Sequence, residues 1–176
     1  MAVDLAALIV DVPDFPRPGV GFKDITPLLA SAAGFNAAVD GLVRAAPERI
    51  DVVVALEARG FLFGAPVALA LGRGFVPIRK PGKLPRTAVT TGFTLEYADD
   101  AIAVHADALG PGDRVLIIDD VLATGGTLVA AAGLVRRLGA EVTGIGVVAE
   151  LGFLGGRARL AEAGLDVDAL LCFEHG

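Results

Sequence analysis

Two adjacent acids, Asp119 and Asp120, follow the aliphatic run 115–118 and precede a turn of small residues. Open α/β sheets place ligands at the carboxyl ends of their parallel strands, so these carboxylates are expected to face a crevice. Because neighbouring residues of a continuing strand point to opposite faces, the two can share a ligand only if the strand ends there, as the turn residues predict. Unpaired buried carboxylates are costly, so ribose hydroxyls or a bound cation should satisfy them.

The turn and the helix start that follow the acids have the features of a phosphate-binding loop. They supply consecutive backbone N–H groups, two hydroxyls and the positive end of a helix dipole. The residues are Ala123, Thr124, Gly125, Gly126 and Thr127. No lysine follows the glycines, which excludes a Walker phosphate loop. A tight connection without a ligand is the alternative for any single element, but the ordered combination favours ligand binding.

The charge is unevenly distributed along the chain. A net charge of −6 disfavours broad nucleic-acid binding, which needs a surplus of basic residues. Residues 58–95 nevertheless contain no acid. The bases in that stretch are Arg59, Arg73, Arg79, Lys80, Lys83 and Arg86. Such a local field suits a small, highly charged anion, although a basic cluster by itself is more often a solvated face.

Continuous aliphatic runs alternate with segments of helical spacing along most of the chain. This pattern predicts an α/β protein with a mainly parallel central sheet flanked by helices. The predicted strands are 50–55, 75–78, 115–118, 142–148 and 167–171. The predicted helices are 35–46, 61–71, 127–138 and 156–163. Gly139 and Gly164 directly follow the last two helices and are expected to cap their C-termini.

Residues 80–94 contain two prolines and two glycines without a helical or alternating pattern, and they are predicted to form a mobile loop. Such loops often close over active sites as lids. After this loop, residues 93–97 and 101–105 could pair as a hairpin across 98–100.

The composition suits one globular domain, residues 1–176, acting in the cytoplasm. No apolar run approaches the roughly 18 to 20 residues that a membrane helix needs, and the first residues carry no basic leader. Cys172 is expected to pack in the core without a chemical role. The two histidines belong to no spaced Cys or His set, so a transition-metal site is not expected, whereas magnesium remains open.

Residues 115–127 resemble the phosphoribosyl-diphosphate signature of the type I phosphoribosyltransferases, and nearly the whole chain is similar to the adenine-using members of that family. Further matching segments look like the family's base-binding segment, its diphosphate loop and the two ends of its lid. They are residues 15–27, 57–64, 79–85 and 95–97. The resemblance implies an α/β fold with an N-terminal hood at 1–34 and a flexible lid at 80–100.

The resemblance also implies an activity: transfer of ribose 5-phosphate from 5-phosphoribosyl 1-diphosphate to N9 of adenine, forming AMP and diphosphate in purine salvage. The implied cofactor is Mg²⁺, held mainly by the diphosphate and ribose of the donor, with no dedicated protein ligand set. The implied assembly is a homodimer.

Residue roles follow from the same resemblance. Arg59 and Lys80 are expected to bind the diphosphate as its negative charge develops, while Asp119 and Asp120 bind the ribose and stabilise its oxocarbenium character. Glu96 is expected to accept a proton from the purine or to position it.

Around the base, Tyr97 is expected to cover the reacting centre, and Phe22 and Leu151 to contact the two faces of the purine. Gly21 and Lys23 should lie beside it. Without the resemblance, each would be an ordinary strand or core residue. Gly21 stands where the family often has a bulkier residue, which weakens the expected selectivity for adenine.

Two alternatives remain open at this point. A related enzyme could use a 6-oxopurine, but such a site should have a donor for O6 soon after the phosphate loop, and residues 128–135 are apolar or small. A non-catalytic sensor of the sugar phosphate would usually need an added nucleic-acid-binding segment, and no basic helix is evident.

Overall fold

The structure is a computed structural model that describes residues 3–15, 18, 21–95 and 98–175. Its strands are β1 (Val10–Val12), β2 (Phe22–Asp24), β3 (Val52–Leu56), β4 (Gly74–Ile78), β5 (Ala88–Leu95), β6 (Ala98–His105), β7 (Arg114–Leu122), β8 (Glu141–Leu151) and β9 (Asp168–Phe173). Its α-helices are α1 (Thr26–Ala30), α2 (Ala32–Ala45), α3 (Gly60–Ala70), α4 (Gly126–Arg137) and α5 (Gly156–Glu162).

A five-stranded sheet in the order β4-β3-β7-β8-β9 forms the centre of the fold, and all of its neighbouring strands are parallel. The predicted α/β architecture is therefore confirmed. Parallel strands are buried on both faces, which explains why each appears in the sequence as an unbroken aliphatic run. The predicted glycine caps are also confirmed, since Gly139 and Gly164 follow α4 and α5 with positive φ angles.

Two hydrophobic cores lie on opposite faces of this sheet. Alternate residues of β3 belong to different cores: Val53 packs with α1, α2 and α3, whereas Val54 packs with α4 and α5. Both strand residues are fully buried. Because successive strand side chains point to opposite faces, the continuous run of β3 supplies both cores at once.

Strands β5 and β6 form an antiparallel hairpin outside the central sheet, paired from Ala88 with His105 to Leu95 with Ala98. The prediction of an irregular loop over 80–94 is thus wrong for its second half, and the predicted turn at 98–100 is wrong because those residues lie in β6. Cross-strand pairing with β6, rather than local pattern, orders this segment. Arg137 of α4 also donates a hydrogen bond of 2.9 Å to the carbonyl of Thr90.

The N-terminal region contains a small hairpin that the sequence patterns did not reveal. β1 and β2 pair antiparallel over three residues each. α1 follows β2 directly, and Asp24 stabilises the start of α1 by accepting hydrogen bonds from the N–H and the hydroxyl of Thr26. Such short elements carry too few residues for a periodic signal.

The edge strand β9 corrects one further prediction. Cys172 is exposed rather than buried in the core, and its thiol donates a 3.2 Å hydrogen bond to Glu174.

None of the helices in the described part of the chain combines the length and apolarity required to cross a membrane.

Candidate active site

The two predicted acids lie near the end of β7, but the strand does not stop at them. It continues to Leu122, so the predicted strand end is wrong. Pairing between β7 and β3 ends at Ile118, whereas pairing with β8 continues. Past Ile118 one edge of β7 is therefore free of the neighbouring strand, and both Asp119 and Asp120 line the same cavity.

This first cavity, which we call the diphosphate cavity, has a volume of about 240 Å³. It contains both predicted cations, both acids and one hydroxyl of the phosphate-binding turn. Its lining residues are Leu56, Glu57, Ala58, Arg59, Lys80, Phe93, Asp100, Ile102, Asp119, Asp120, Val121 and Thr127. The fold therefore brings together groups that are up to 71 positions apart in the sequence.

Asp120 is 5% exposed, and its partner is Arg59, whose Nε lies 2.8 Å from Oδ2. The contact is an ion pair without hydrogen-bond alignment, so this buried oxygen receives no hydrogen bond from the described residues. The Arg59 guanidinium also lies 4.7 Å from the ring centroid of Phe22, within cation–π range. Arg59 thus connects the predicted sugar-binding acids to the predicted base-binding ring.

Asp119 is half-buried, and its Oδ1 accepts a 2.9 Å hydrogen bond from the backbone N–H of Asp120. Burial, followed by the negative charge of Asp120, raises the pKa of Asp119 well above its usual value. α3 starts close by, since a Cβ on Gly60 would lie 2.9 Å from Asp119 Oδ1. A ligand with hydroxyls or positive charge would relieve this crowded anionic pair.

The predicted phosphate-binding turn lines a second cavity of about 240 Å³, which shares Asp119, Val121 and Thr127 with the first. Its lining residues are Asp119, Val121, Leu122, Ala123, Thr124, Gly125, Gly126, Thr127 and Leu128. No side chain caps the N-terminus of α4. The first N–H groups of that helix, which have no intrahelical acceptors, are therefore available to an anion.

Close packing against α5 fixes the shape of this turn. Gly125 has a φ of 80°, a left-handed conformation that favours glycine. A Cβ on Gly156 at the start of α5 would lie 2.1 Å from the carbonyl oxygen of Ala123, which no real Cβ contact allows. The two glycines let the turn and α5 approach each other directly.

Glu57 holds the segment that carries Lys80. Its carboxylate accepts a 2.8 Å hydrogen bond from the backbone N–H of Lys80 and pairs with Arg79 at 3.2 Å. The Lys80 N–H, and then the Arg79 side chain, lower the pKa of Glu57 below its usual value. The ammonium of Lys80 lies 3.3 Å from Asp100. The peptide bond between Glu57 and Ala58 is cis.

A third cavity of about 240 Å³ lies beside Phe22 and is mainly apolar. Val12, Phe15, Phe22 and Asp24 line it, and the two aromatic rings meet edge to face with centroids 5.0 Å apart. Gly21 has open space where a side chain would be, with nothing within 4 Å of a built Cβ. A planar aromatic ligand would find a stacking surface here.

The structure does not bring Lys23 to this cavity. Lys23 follows Phe22 in β2 and therefore points to the opposite side, where its ammonium forms an ion pair with Asp11 and lies 4.3 Å from the ring centroid of Phe173. Leu151 ends β8 opposite Phe173 of β9. Phe173 is thus the strand neighbour of Leu151, and its ring lies under the ammonium of Lys23.

Comparison with known proteins agrees with this geometry. A family model described as "Phosphoribosyl transferase domain" matches residues 22–163. The chain belongs to the phosphoribosyltransferase family. The adenine phosphoribosyltransferase of Cutibacterium acnes is 57% identical over 168 residues, which cover 95% of each chain.

Solved structures of this family superimpose closely. The adenine phosphoribosyltransferase of Thermoanaerobacter pseudethanolicus has a TM-score of 0.92 and 48% identity, with 96% of this chain and 98% of that chain covered. The enzyme from Saccharomyces cerevisiae, solved with adenine and an imino-altritol bisphosphate, has a TM-score of 0.88 and 41% identity, with 95% and 96% covered.

Some residues of this phosphoribosyltransferase site were not indicated by the sequence patterns. Asp24 ends β2, Glu57 directly follows β3, and Asp100 lies in β6, each beside a cavity. Glu57 and Asp100 pair with the distant Lys80, through its N–H and its ammonium respectively. The single acid at the end of β3, directly before the acid-free stretch, was the available signal for Glu57. Glu96 and Tyr97 lie outside the described residues, and their roles stay predictions.

Proposed function

We propose that the protein transfers ribose 5-phosphate from 5-phosphoribosyl 1-diphosphate to N9 of adenine, producing AMP and diphosphate in purine salvage. The observation that carries this proposal is the junction of the two cavities at Asp119, with a phosphate-binding turn on one side and two cations on the other. The names of the relatives support adenine as the acceptor.

The phosphate-binding turn 123–127 holds the 5-phosphate of the donor. Free N–H groups at the start of α4 and the hydroxyls of Thr124 and Thr127 supply the hydrogen bonds, and the helix dipole adds at most about 2 kcal/mol. Since the turn shares Asp119 with the neighbouring cavity, a sugar bound by its phosphate reaches the acids with its ring.

Asp119 and Asp120 bind the ribose hydroxyls and face the anomeric carbon. Displacement at that carbon develops oxocarbenium character, which two nearby carboxylates stabilise electrostatically. Arg59 and Lys80 line the same cavity and stabilise the negative charge that develops on the departing diphosphate. Removal of one such preorganised group typically costs about 3 to 4 kcal/mol of barrier.

The purine lies against Phe22, with Leu151 toward its other face and the backbone around Gly21 and Lys23 beside it. The apolar cavity next to Phe22, and the Arg59 guanidinium 4.7 Å from the Phe22 ring centroid, support the placement against Phe22. Glu96 accepts or positions the purine proton, and Tyr97 closes over the reacting centre, which excludes water from the activated sugar.

Magnesium fits this site as a cofactor that the donor brings with it. Among the described residues no three His, Cys, Asp or Glu side chains are grouped as a metal site, whereas Asp119 and Asp120 offer oxygens suited to a hard cation. The diphosphate and ribose oxygens would hold most of the ion, with these two acids beside it. Bound magnesium would neutralise part of the diphosphate charge.

The enzyme is proposed to act in the cytoplasm as a homodimer. Its donor substrate and both of its products carry phosphate groups, which do not cross a hydrocarbon layer unaided. The apolar outer face of α3, which includes Leu62 and Leu69, supports association with a second copy.

A base-by-base assay tests this function most simply. Incubation with phosphoribosyl diphosphate, magnesium and adenine, hypoxanthine, guanine or xanthine in turn should release diphosphate fastest with adenine. Faster release with a 6-oxopurine would support the related enzyme instead. Binding of the donor without turnover on any base would support the sensor.

A further inference from the structure

The cavity that binds an anion in the proposed function contains an acid with no part in the reaction described so far. Asp100 of β6 lines the diphosphate cavity together with Arg59 and Lys80. Its Oδ2 lies 3.3 Å from the ammonium of Lys80. Its Oδ1 accepts a 2.8 Å hydrogen bond from the N–H of Ala101, which fixes the carboxylate in this orientation.

The other acids of this cavity are already accounted for. Glu57 holds the backbone of Lys80, and Asp119 and Asp120 belong to the sugar side. Asp100 is different, because its Oδ2 pairs with the ammonium of Lys80, which would also bind the diphosphate. Its side chain is 32% exposed, against 62% for Lys80, so both groups remain accessible to an incoming ligand.

The hairpin determines where this acid lies. Asp100 is opposite Phe93 in the β5–β6 register, and Phe93 lines the same cavity. Arg79, next to Lys80, bridges to Ala103 of β6 through two backbone hydrogen bonds. These backbone hydrogen bonds join the segment that carries Lys80 to β6, which carries Asp100, and so keep the two charges close together.

We propose that Asp100 is a positioning residue that competes with diphosphate for Lys80. Without a ligand, Asp100 forms an ion pair with the ammonium of Lys80. When diphosphate binds Lys80, the charge of Asp100 repels it, and the ion pair forms again when diphosphate leaves. Asp100 thereby limits how tightly the site holds diphosphate, both in the donor and as the released product. This inference rests on the proposed function.

The variant Asp100→Asn removes the charge and keeps the shape. Calorimetric titration with inorganic diphosphate and magnesium should show affinity increased about fivefold, which is the order of magnitude of one exposed ion pair. Product inhibition by diphosphate should strengthen by the same factor, and the KM for the donor should fall, while the KM for adenine stays unchanged. A purely structural role for Asp100 would not separate the two substrates in this way.

Asp107→Asn is the matched control. Asp107 follows the same hairpin and pairs with Arg86 at the surface, outside the cavity. Its replacement by asparagine changes the net charge of the protein by the same amount as Asp100→Asn does. It should leave diphosphate affinity unaltered. In a Lys80→Met background, Asp100→Asn should lose most of its effect, because the residue acts through that ammonium.

Unchanged diphosphate affinity in Asp100→Asn, or an equal gain in Asp107→Asn, would overturn the inference. These outcomes are separate from failure of the proposed function. If the unaltered protein binds neither diphosphate nor the donor, the function itself is wrong. If it binds both and turns over adenine, only the role of Asp100 is rejected.

Discussion

Asp119 and Asp120 are neighbours in the chain with different surroundings. Asp120 pairs with Arg59, whereas Asp119 accepts a backbone N–H and faces the negative charge of Asp120. Burial and that charge raise the pKa of Asp119. Because hydroxyls and magnesium favour the ionised carboxylate, affinity for the donor should weaken as the pH falls through this pKa.

Asp120→Asn should lower the pKa of Asp119, since it removes a like charge and frees Arg59. The pKa should stay above its usual value, because burial, the larger cause, remains. The carboxyl carbon shift of Asp119, followed by NMR against pH in the ligand-free protein, measures this directly. A midpoint that does not move would show that burial alone sets it.

The same raised pKa has a consequence for stability. The folded state binds the Asp119 proton more tightly than the unfolded state does, so the free energy of unfolding of the ligand-free protein decreases as the pH rises through the shifted range. Donor and magnesium, which bind the ionised form, should offset that loss.

Gly21 gives a second prediction at this scale. Its built Cβ meets nothing within 4 Å, so Gly21→Val is sterically allowed and would add an apolar wall beside Phe22. We expect the KM for adenine to fall by a few-fold, about 1 kcal/mol for the added apolar contact, with the KM for the donor unchanged. Gly133→Ala on α4, where a Cβ also meets nothing, is the control. A higher KM for adenine would contradict the placement of the base.

The sequence predicted the acids and the phosphate-binding turn because they are contiguous, so that one strand and one turn create their geometry. It could not predict that Glu57 would hold Lys80, 23 positions away, since that contact depends on how β3 and β4 pair. Nor could it show that Lys23 would point away from Phe22, because β2 is too short to reveal its alternation.

At the scale of elements, the contact between the phosphate-binding turn and α5 is the most constrained part of the site. Gly156→Ala would place a Cβ 2.1 Å from the Ala123 carbonyl and must displace the turn. A shift of about 1 Å in a binding group can cost about a hundredfold, so the KM for the donor should rise at least about tenfold. Steady-state kinetics with a thermal melt would separate this effect from unfolding. An unaltered KM for the donor in a folded variant would show that the turn is not the phosphate site.

The parallel strands and long helices could be predicted because each is a long apolar pattern. β5 and β6 were mostly missed because their order comes from pairing with each other and from α4, which no local pattern reports. The continuation of β7 to Leu122 was missed for a related reason. Pairing with β8 extends past the acids, although the turn residues suggested an earlier end.

At the scale of the whole molecule, α3 has an exposed apolar face. From Gly60 to Ala70 it has no charged or hydrogen-bonding side chain, and Leu69 is 81% exposed. Leu62 is two turns earlier on the same face. A second copy would cover this face and would lie next to Arg59, which directly precedes the helix.

Leu69→Glu should therefore convert the proposed homodimer into a monomer, because it would bury a charge in an apolar interface. Light scattering after size exclusion measures the mass directly. Val3→Glu, which changes an exposed apolar residue in the N-terminal region, is the control and should leave the dimer intact. A dimer that survives Leu69→Glu would place the interface elsewhere.

In the proposed function, phosphoribosyl diphosphate binds between the two acids near the end of β7 and the turn that starts α4. Calorimetric titration of phosphoribosyl diphosphate with magnesium into the folded protein tests it most directly. We predict saturable heat that the double variant Asp119→Asn/Asp120→Asn abolishes while its fold, judged by circular dichroism, persists. No heat from the unaltered protein, or equal binding by the double variant, would contradict the account.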